Sequence, residues 1–188
     1  MSKDRLSEAI RDSSRTVETL LGHVDEIDAI NALVIDALRA GGKVMTAGNG
    51  GSAAEALHMS EELVGRFRGD RRSLPALSLA ADPTALTCIG NDYGFDALFS
   101  RQIEGLGKPG DVLVLFSTSG NAANLHAALE AAHAAGVNTV AFLGRDGGKL
   151  AGLASHEIVI AGTRTERIQE AHQVLVHLVL DAVEEAFI

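Results

Sequence analysis

The feature that most restricts the fold is an alternation of short apolar segments with longer helical ones. The short segments predict strands at 43–47, 75–79, 111–116, 138–143 and 156–160. The helical segments are 52–66, 121–135 and a long last one at about 164–187. Apolar strands separated by helices are typical of a parallel sheet that is covered on both faces. We therefore expect an α/β fold, namely a three-layer, doubly wound open parallel sheet.

Two further helices are predicted ahead of the sheet, at 3–21 and 25–40, and Gly41-Gly42 ends the second. Their apolar residues lie on more than one face, so a single α/β layer cannot bury them all and self-association is expected. No repeat or Pro/Ser-rich linker divides the chain. We predict one domain over 1–188, with N-terminal helices at about 3–40 and an α/β core at about 43–188.

Composition excludes several classes of protein. The net charge of −9 argues against a nucleic-acid binder, which normally carries a basic surface. Cys88 is the only cysteine, so no intrachain disulfide is possible and a reducing cytoplasm is favoured. The polar N-terminus has no signal-peptide pattern, and no apolar run is long enough to span a membrane. The expected partner is a small ligand in the cytoplasm.

The loop after the first strand, Ala47-Gly48-Asn49-Gly50-Gly51-Ser52-Ala53-Ala54, is rich in small residues. Glycines there allow a ligand to approach the backbone closely, and Ser52 is a candidate helix cap. The loop is neither a Walker P-loop nor a GxGxxG motif, so it gives little support to nucleotide binding. A plain tight turn with an N-cap is the alternative interpretation.

A second loop, Ser117-Thr118-Ser119-Gly120-Asn121, follows the strand at 111–116 and precedes an alanine-rich helix. Hydroxyls and free amides at a helix N-terminus bind phosphate without needing a lysine. A single hydroxyl could be no more than a helix cap, but three consecutive hydroxyls exceed what capping needs. The sequence therefore predicts a phosphate site here.

Four further residues have the spacing of a possible metal site. His58 and Glu62 are four apart on one predicted helix, and Gln169 and His177 are eight apart on the last one, so each pair shares a face. Two imidazoles, a carboxylate and an amide oxygen suit zinc among other divalent ions. From spacing alone the metal signal is weak, because a His-x-x-x-Glu pair is commonly part of a solvated helix face, and that interpretation is favoured.

Together these motifs resemble the SIS-domain (sugar isomerase) family and, within it, the phosphoheptose isomerases. The resemblance rests on four segments that occur in the family's order and extends over nearly the whole chain. They are Gly-Asn-Gly-Gly-Ser with residues 58–67, Gly-Asn-Asp-Tyr-Gly-Phe at 90–95, Ser-Thr-Ser-Gly-Asn, and Arg-Ile-Gln-Glu-Ala-His at 167–172 with His177. It implies a flavodoxin-like sheet and the isomerisation of sedoheptulose 7-phosphate to D-glycero-D-manno-heptose 7-phosphate.

The resemblance also implies roles for individual residues. One Zn²⁺ per subunit would be held by His58, Glu62, Gln169 and His177, with Glu62 and His177 as the acid–base pair. The implied substrate contacts are Asn49, Gly50, Gly51, Ser52, Glu62, Arg66, Asn91, Asp92, Ser117, Thr118, Ser119 and Gln169. A homotetramer with active sites between subunits is implied, as is a first step of ADP- or GDP-heptose biosynthesis that supplies lipopolysaccharide precursors.

Two positions depart from the family pattern. Ala122 stands where a further hydroxyl is usual, and Glu166 stands where a shorter acidic residue is usual. Both affect substrate affinity more than reaction type. Arg66 contacts substrate or pairs with a neighbouring acid, and His172 supports the site or belongs to the helix face.

Two other functions fit the same family. One is a non-catalytic SIS-domain adaptor that binds the bacterial replication initiator, and the other is a regulator that senses a phosphosugar. The joint presence of the two histidines, the glutamate and the glutamine of the predicted metal site argues against the adaptor. No DNA-binding segment accompanies the predicted domain, which argues against the regulator.

Overall fold

A five-stranded sheet forms the middle layer of the protein, between two layers of helices. The computed structural model describes residues 2–188. Its strands are β1 Val44–Gly48, β2 Ala76–Ser78, β3 Val112–Ser117, β4 Asn138–Gly144 and β5 His156–Ile160. They are all parallel, in the order β2-β1-β3-β4-β5. The predicted doubly wound, flavodoxin-like sheet is confirmed, and each strand bound differs from the predicted one by one residue at most.

Helices cover both faces of this sheet. They are α1 Lys3–Glu18, α2 Val24–Arg39, α3 Gly51–Val64, α4 Pro83–Asp92, α5 Ser100–Leu106, α6 Ala123–Ala134 and α7 Thr165–Phe187. Short 3-10 turns occupy Thr19–His23, Phe95–Ala97 and Gly148–Leu150. The first helix is shorter than predicted because the chain tightens into a 3-10 turn after Glu18. The single-domain assignment stays a prediction.

The sequence analysis missed α4 and α5, which fill the gap between β2 and β3. The signal for α4 was present in the sequence. Asp82 caps it by accepting hydrogen bonds from the backbone N–H groups of Thr84 (2.8 Å) and Ala85 (3.2 Å), and Pro83 is the first helical residue. An Asp-Pro pair at a helix start provides both an acceptor for free N–H groups and a preset φ angle.

Strand β3 shows how the sheet separates two apolar cores. Val112, Val114 and Phe116 point into a core built with α2, α3 and α7. Leu113 and Leu115, between them, point into a second core built with α5 and α6. Side chains of a strand alternate between faces, so a strand that is apolar throughout must be covered on both sides. Packing on both faces holds the carboxyl ends of the strands in place, and the loops after β1 and β3 leave the sheet there.

A charged contact joins the starts of β1 and β3, at the end of the strands opposite the two loops. The Asp111 carboxylate accepts hydrogen bonds from the backbone N–H of Lys43 (2.9 Å) and of Lys108 (2.8 Å), and it pairs with the Lys43 ammonium. Burial by itself raises the pKa of Asp111. These hydrogen bonds outweigh burial and hold its pKa below the usual range.

Helix α1 is largely uncovered. It packs against α7 but has no buried residue, and Leu6 and Ile10 on it are 45% and 71% exposed. An apolar helix face without a cover is typical of an interface between subunits. Among residues 2–188, no helix is both long and apolar enough to cross a membrane.

Candidate active site

The two small-residue loops meet at the point where the strand order reverses. β1 and β3 are neighbours, and the chain leaves them toward opposite edges of the sheet. In open α/β sheets, ligands bind beyond the carboxyl ends of the strands at this switch point. The loop after β1 and the loop after β3 therefore form the floor of the candidate site.

The loop after β1 turns sharply into α3 at Gly50. Gly50 has φ +59° and is the N-cap of α3, with Gly51 as the first helical residue. The prediction that Ser52 caps this helix is wrong, because Ser52 is already inside the first turn and is buried. Gly50 has no side chain to cap the helix, and the N–H groups of Ser52 and Ala53 donate to the backbone oxygens of Asn49 and Gly50 (3.1 Å each).

Gly51 brings α3 and α7 into contact. A Cβ at this position would collide with the Gln169 side chain from α7. A side chain at position 51 would therefore require the Gln169 carboxamide to move away from the start of α3. The loop glycine and the glutamine are far apart in sequence, and the structure brings them together as neighbouring parts of one site.

The loop after β3 is held by its own hydroxyls. The buried Ser117 Oγ accepts a hydrogen bond from the Gly120 N–H (3.0 Å), and Ser119 Oγ accepts one from the Asn121 N–H (3.3 Å). The side-chain amide of Asn121 donates to the Ser119 carbonyl oxygen (2.8 Å). This bond keeps Asn121 in the loop, so α6 starts later than predicted. These bonds fix a tight loop at the N-terminus of α6.

The two loops share one small pocket of about 100 Å³, which we call the hydroxyl pocket. Its polar lining comes from both loops, namely Asn49, Ser52, Ser117, Thr118 and Ser119. Ala122 also lines it and is the N-cap of α6, so this helix start has no side-chain cap. A pocket of hydroxyls at two helix N-termini has the chemistry of an anion site.

Asn49 owes its position to a residue that the sequence analysis missed. Its carboxamide and that of Asn124 on α6 exchange two hydrogen bonds, each 2.9 Å long. Asn124 is 1% exposed, so the pair is fixed from the core side. The first loop is thereby tied to the helix that follows the second. No local sequence signal identifies such a contact between residues 75 positions apart.

A second polar group lies farther along α3, where α7 runs beside it. His58 Nε2 lies 3.4 Å from Glu62 Oε1, and the rings of His58 and His177 are 5.4 Å apart, edge to face. The Phe67 ring stacks on His177 with centroids 5.8 Å apart. We call His58, Glu62, His177 and the neighbouring Gln173 the histidine cluster. Three of the predicted acid–base and metal residues are therefore brought together.

Gln169 and Gln173 occupy different places on α7. Gln173 Nε2 lies 2.7 Å from His58 Nδ1 and 3.1 Å from His177 Nε2, so it is in contact with both rings. Gln169 lies one helical turn earlier, against Gly51. Gln173 was missed by the sequence analysis because only the fold shows that its side chain points between two histidines. The ligand role of Gln169 stays a prediction.

Two of the predicted ligands, together with a neighbouring acid, have donor atoms close enough to hold a divalent ion. Ligand atoms of His58, Glu61 and Glu62 lie within 4.8 Å of one another. Two tetrahedral ligands at about 2.0–2.1 Å from zinc are themselves about 3.4 Å apart, which matches the separation of His58 Nε2 and Glu62 Oε1. Nitrogen and oxygen donors are the set that zinc accepts. Glu61 is an exposed acid that the sequence analysis did not consider.

Known proteins with similar sequences share this architecture. Residues 8–144 match the sequence profile of the SIS domain. The phosphoheptose isomerase of Geobacter sp. (strain M21) is 50% identical over 158 residues, which cover 84% of this chain and 82% of that protein. The chain belongs to the phosphoheptose isomerase family.

Two solved phosphoheptose isomerases have the same fold over almost their full length. The enzyme from Neisseria gonorrhoeae is 39% identical with a TM-score of 0.91, and the match covers 97% of this chain and 98% of that one. The enzyme from Francisella tularensis is 30% identical with a TM-score of 0.93, covering 98% and 100%. The family resemblance inferred from the four sequence motifs is therefore confirmed.

In this phosphoheptose isomerase homologue, two buried groups lie under the site without full hydrogen bonding. His172 is fully buried and its Nε2 lies 3.2 Å from the Leu143 carbonyl oxygen. His172 Nδ1 is 3.8 Å from Glu55 Oε2, and within residues 2–188 neither the Glu55 oxygens nor His172 Nδ1 has a hydrogen-bond partner. His172 thus supports α7 from inside and does not lie on an exposed face.

A buried ion pair holds the ends of α3 and α7 together. Arg71 and Glu184 have side chains that are 1% and 6% exposed and lie 3.2 Å apart. Arg71 also donates to the carbonyl oxygens of Glu62 (2.8 Å) and Leu63 (3.0 Å) at the end of α3. Burial by itself raises the pKa of Glu184. Hydrogen bonds from the Arg68 and Gly69 N–H groups and from Arg71 hold that pKa below its usual value.

Three predicted substrate residues are not brought to either group. Asn91 and Asp92 end α4 in an exposed position, where the Asn91 amide donates to the Asp92 carboxylate (2.7 Å). Tyr93 and Phe95 beside them are 58% and 62% exposed. Arg66 is exposed and forms none of the ion pairs found within residues 2–188, so its predicted pairing with a neighbouring acid is not observed.

Proposed function

We propose that this chain isomerises sedoheptulose 7-phosphate to D-glycero-D-manno-heptose 7-phosphate through an enediol. The observation that carries the proposal is that one helix, α3, begins at the hydroxyl pocket and bears His58 and Glu62 in its second half. Ser52 and His58 are six residues apart, or about 9 Å along the helix axis. Such a spacing suits a sugar whose phosphate and reacting carbons lie at opposite ends of a chain.

The hydroxyl pocket would hold the phosphate. Ser117, Thr118 and Ser119 offer hydroxyls, and the N-terminus of α6 adds the positive end of its dipole. Asn49 through Ser52 lie beside them and would contact the sugar, with Gln169 against Gly51. Binding the end that does not react leaves the carbonyl end free to lie along α3 toward the histidine cluster.

The proton transfers are assigned to Glu62 and His177. Aldose–ketose isomerisation moves a proton between neighbouring carbons, so it needs a base at one carbon and a partner for the second transfer. Glu62 would take the proton from the carbon next to the ketose carbonyl, and His177 would serve the other transfer. Their side chains are both partly exposed next to His58, which allows a substrate to reach them.

One Zn²⁺ per subunit is the proposed cofactor, held by His58, Glu62, Gln169 and His177. When bound, such an ion would polarise the carbonyl and hydroxyl oxygens of the substrate. Support comes from the separation of His58 Nε2 and Glu62 Oε1 and from the mixed nitrogen and oxygen donors around them.

A homotetramer with active sites between subunits is also proposed. Asn91 and Asp92 are exposed and contact each other without contacting the two polar groups, so a second copy of the chain is proposed to bring them to a site. The uncovered apolar residues Leu6 and Ile10 supply a surface for such contacts. We further propose a cytoplasmic location and a role in making nucleotide-heptose precursors of lipopolysaccharide.

The deciding experiment is conversion of sedoheptulose 7-phosphate by the purified protein, followed in D₂O. Deuterium entering the product would identify an enediol, because a hydride shift does not exchange with solvent. Removing metal with a strong chelator should abolish conversion, and adding zinc should restore it. No conversion under any metal condition would instead support the adaptor function, and full activity without metal would remove zinc from the proposal.

A further inference from the structure

We propose that Gln173 is a positioning residue that couples the tautomers of His58 and His177 and that raises metal affinity by accepting hydrogen bonds from both rings when metal is bound. The proposal rests on the proposed zinc site and deepens it. Gln173 carries no role in the family resemblance described above. Its side chain is half-buried on α7, and the end of that side chain lies between two histidines from different helices.

The distances show that both rings use one carboxamide. Gln173 Nε2 is 2.7 Å from His58 Nδ1 and 3.1 Å from His177 Nε2. An NH₂ group has two protons, so it can donate to both rings at once, provided that each ring presents an unprotonated nitrogen. His58 then carries its proton on Nε2, which faces Glu62 Oε1 at 3.4 Å.

Metal binding requires the opposite arrangement at His58. The nitrogen that faces Glu62 must lose its proton to become a ligand, so the ring proton has to move to Nδ1. A 180° rotation of the Gln173 amide places its oxygen between the rings with almost no movement of other atoms. That oxygen accepts hydrogen bonds from both rings, which frees Nε2 of His58 and Nδ1 of His177.

One side chain thus couples two rings that the chain places 119 positions apart. Metal-binding histidines usually donate their second N–H to a fixed acceptor, and this contact orients the ring and strengthens it as a ligand. Within residues 2–188, Gln173 is the hydrogen-bond partner found for His58 Nδ1. The Phe67 ring on His177 limits rotation of that ring from its other side.

The test compares Gln173→Met, which keeps length but cannot hydrogen-bond, with Gln173→Glu, which keeps the acceptor. Zinc affinity is measured by competition with a chelator of known strength. Gln173→Met should bind zinc about 10- to 100-fold more weakly, the loss typical of a contact behind a ligand. Gln173→Glu should stay within a few-fold of the wild type. Gln102→Met is the matched control, because Gln102 also makes two hydrogen bonds, to Leu79 and Leu98, away from the site.

Histidine ring ¹⁵N NMR of the metal-free protein provides a readout that does not depend on zinc. In the wild type, His58 and His177 should each show one fixed tautomer, and in Gln173→Met both should show mixed tautomers. Unchanged ring shifts would overturn the proposal. Zinc affinity of Gln173→Met that is equal to or tighter than wild type would also overturn it, since the amide would then be neutral or a competitor. If wild-type protein binds no zinc, the proposed cofactor fails and the ring shifts alone decide the role of Gln173.

Discussion

The hydroxyl pocket and the histidine cluster are built in different ways. The pocket consists of two loops at neighbouring strand ends, and its hydroxyls are held by backbone N–H groups two or three residues away. The cluster depends on two helices, α3 and α7, whose side chains meet across more than 100 positions of sequence. Apart from the pair of Asn49 and Asn124, the pocket is held by contacts within its own loops, whereas the cluster depends throughout on how two helices pack. The two regions should therefore respond differently to mutation.

The largest expected effect separates chemistry from binding. Glu62→Gln keeps the size and an oxygen but removes the base, and His177→Gln removes the titratable ring. Each should lower kcat about 100- to 10,000-fold, as loss of a positioned acid or base typically does. Binding of sedoheptulose 7-phosphate, measured by calorimetry, should be nearly unchanged because the pocket is intact. Near-normal turnover in both variants would show that the acid–base assignment is wrong.

The next effect tests whether packing controls the cluster. Glu184→Gln leaves the buried Arg71 guanidinium without its counter-charge, which should lower the free energy of unfolding by about 3 kcal/mol. Because Arg71 also holds the end of α3, kcat should fall while phosphosugar affinity stays. Urea unfolding measures the first and steady-state kinetics the second. Glu185→Gln, on the exposed side of the same helix, is the control. Equal stability of the two variants would contradict the proposal that the ion pair of Arg71 and Glu184 holds α3 and α7 together.

A smaller effect is expected at the hydroxyl pocket, where substitution should weaken binding and leave turnover nearly unchanged. Ser119→Ala should weaken phosphosugar binding by roughly 10- to 150-fold, which corresponds to the 1.5–3 kcal/mol of a hydrogen bond to a charged group. Turnover at saturation should change little, because Ser119 is not among the acid–base residues. Ser7→Ala on the exposed α1 serves as control. Unaltered affinity would mean that Ser119 only shapes the loop.

The smallest effect is a dependence of stability on pH. Both Asp111 and Glu184 have a pKa held below the usual value in the folded protein. A carboxylate with a lowered folded pKa stabilises the fold above its unfolded pKa, and that contribution is lost as the pH falls. Unfolding free energy should therefore be level near neutrality and decline below about pH 4.3. In Glu184→Gln the decline should be shallower, and an identical decline would assign the effect to other groups.

The sequence by itself determined the parts of this protein that depend on local pattern. Apolar strands and helix periodicity gave the sheet and most helices, since burial on both faces requires apolar residues throughout a strand. The two small-residue loops and the four motifs identified the family before any geometry was known. Even the missed α4 had a local signal in Asp82-Pro83.

Only the tertiary structure decided which side chains meet. It placed Gln173 between His58 and His177, paired Asn49 with Asn124, and tied Arg71 to Glu184. It also left Asn91 and Asp92 exposed, away from the groups that they are predicted to join. The three contacts join residues from different elements that are far apart in sequence. Residue type and periodicity describe a residue's own face, but a contact between elements depends on how helices and loops pack around a shared core.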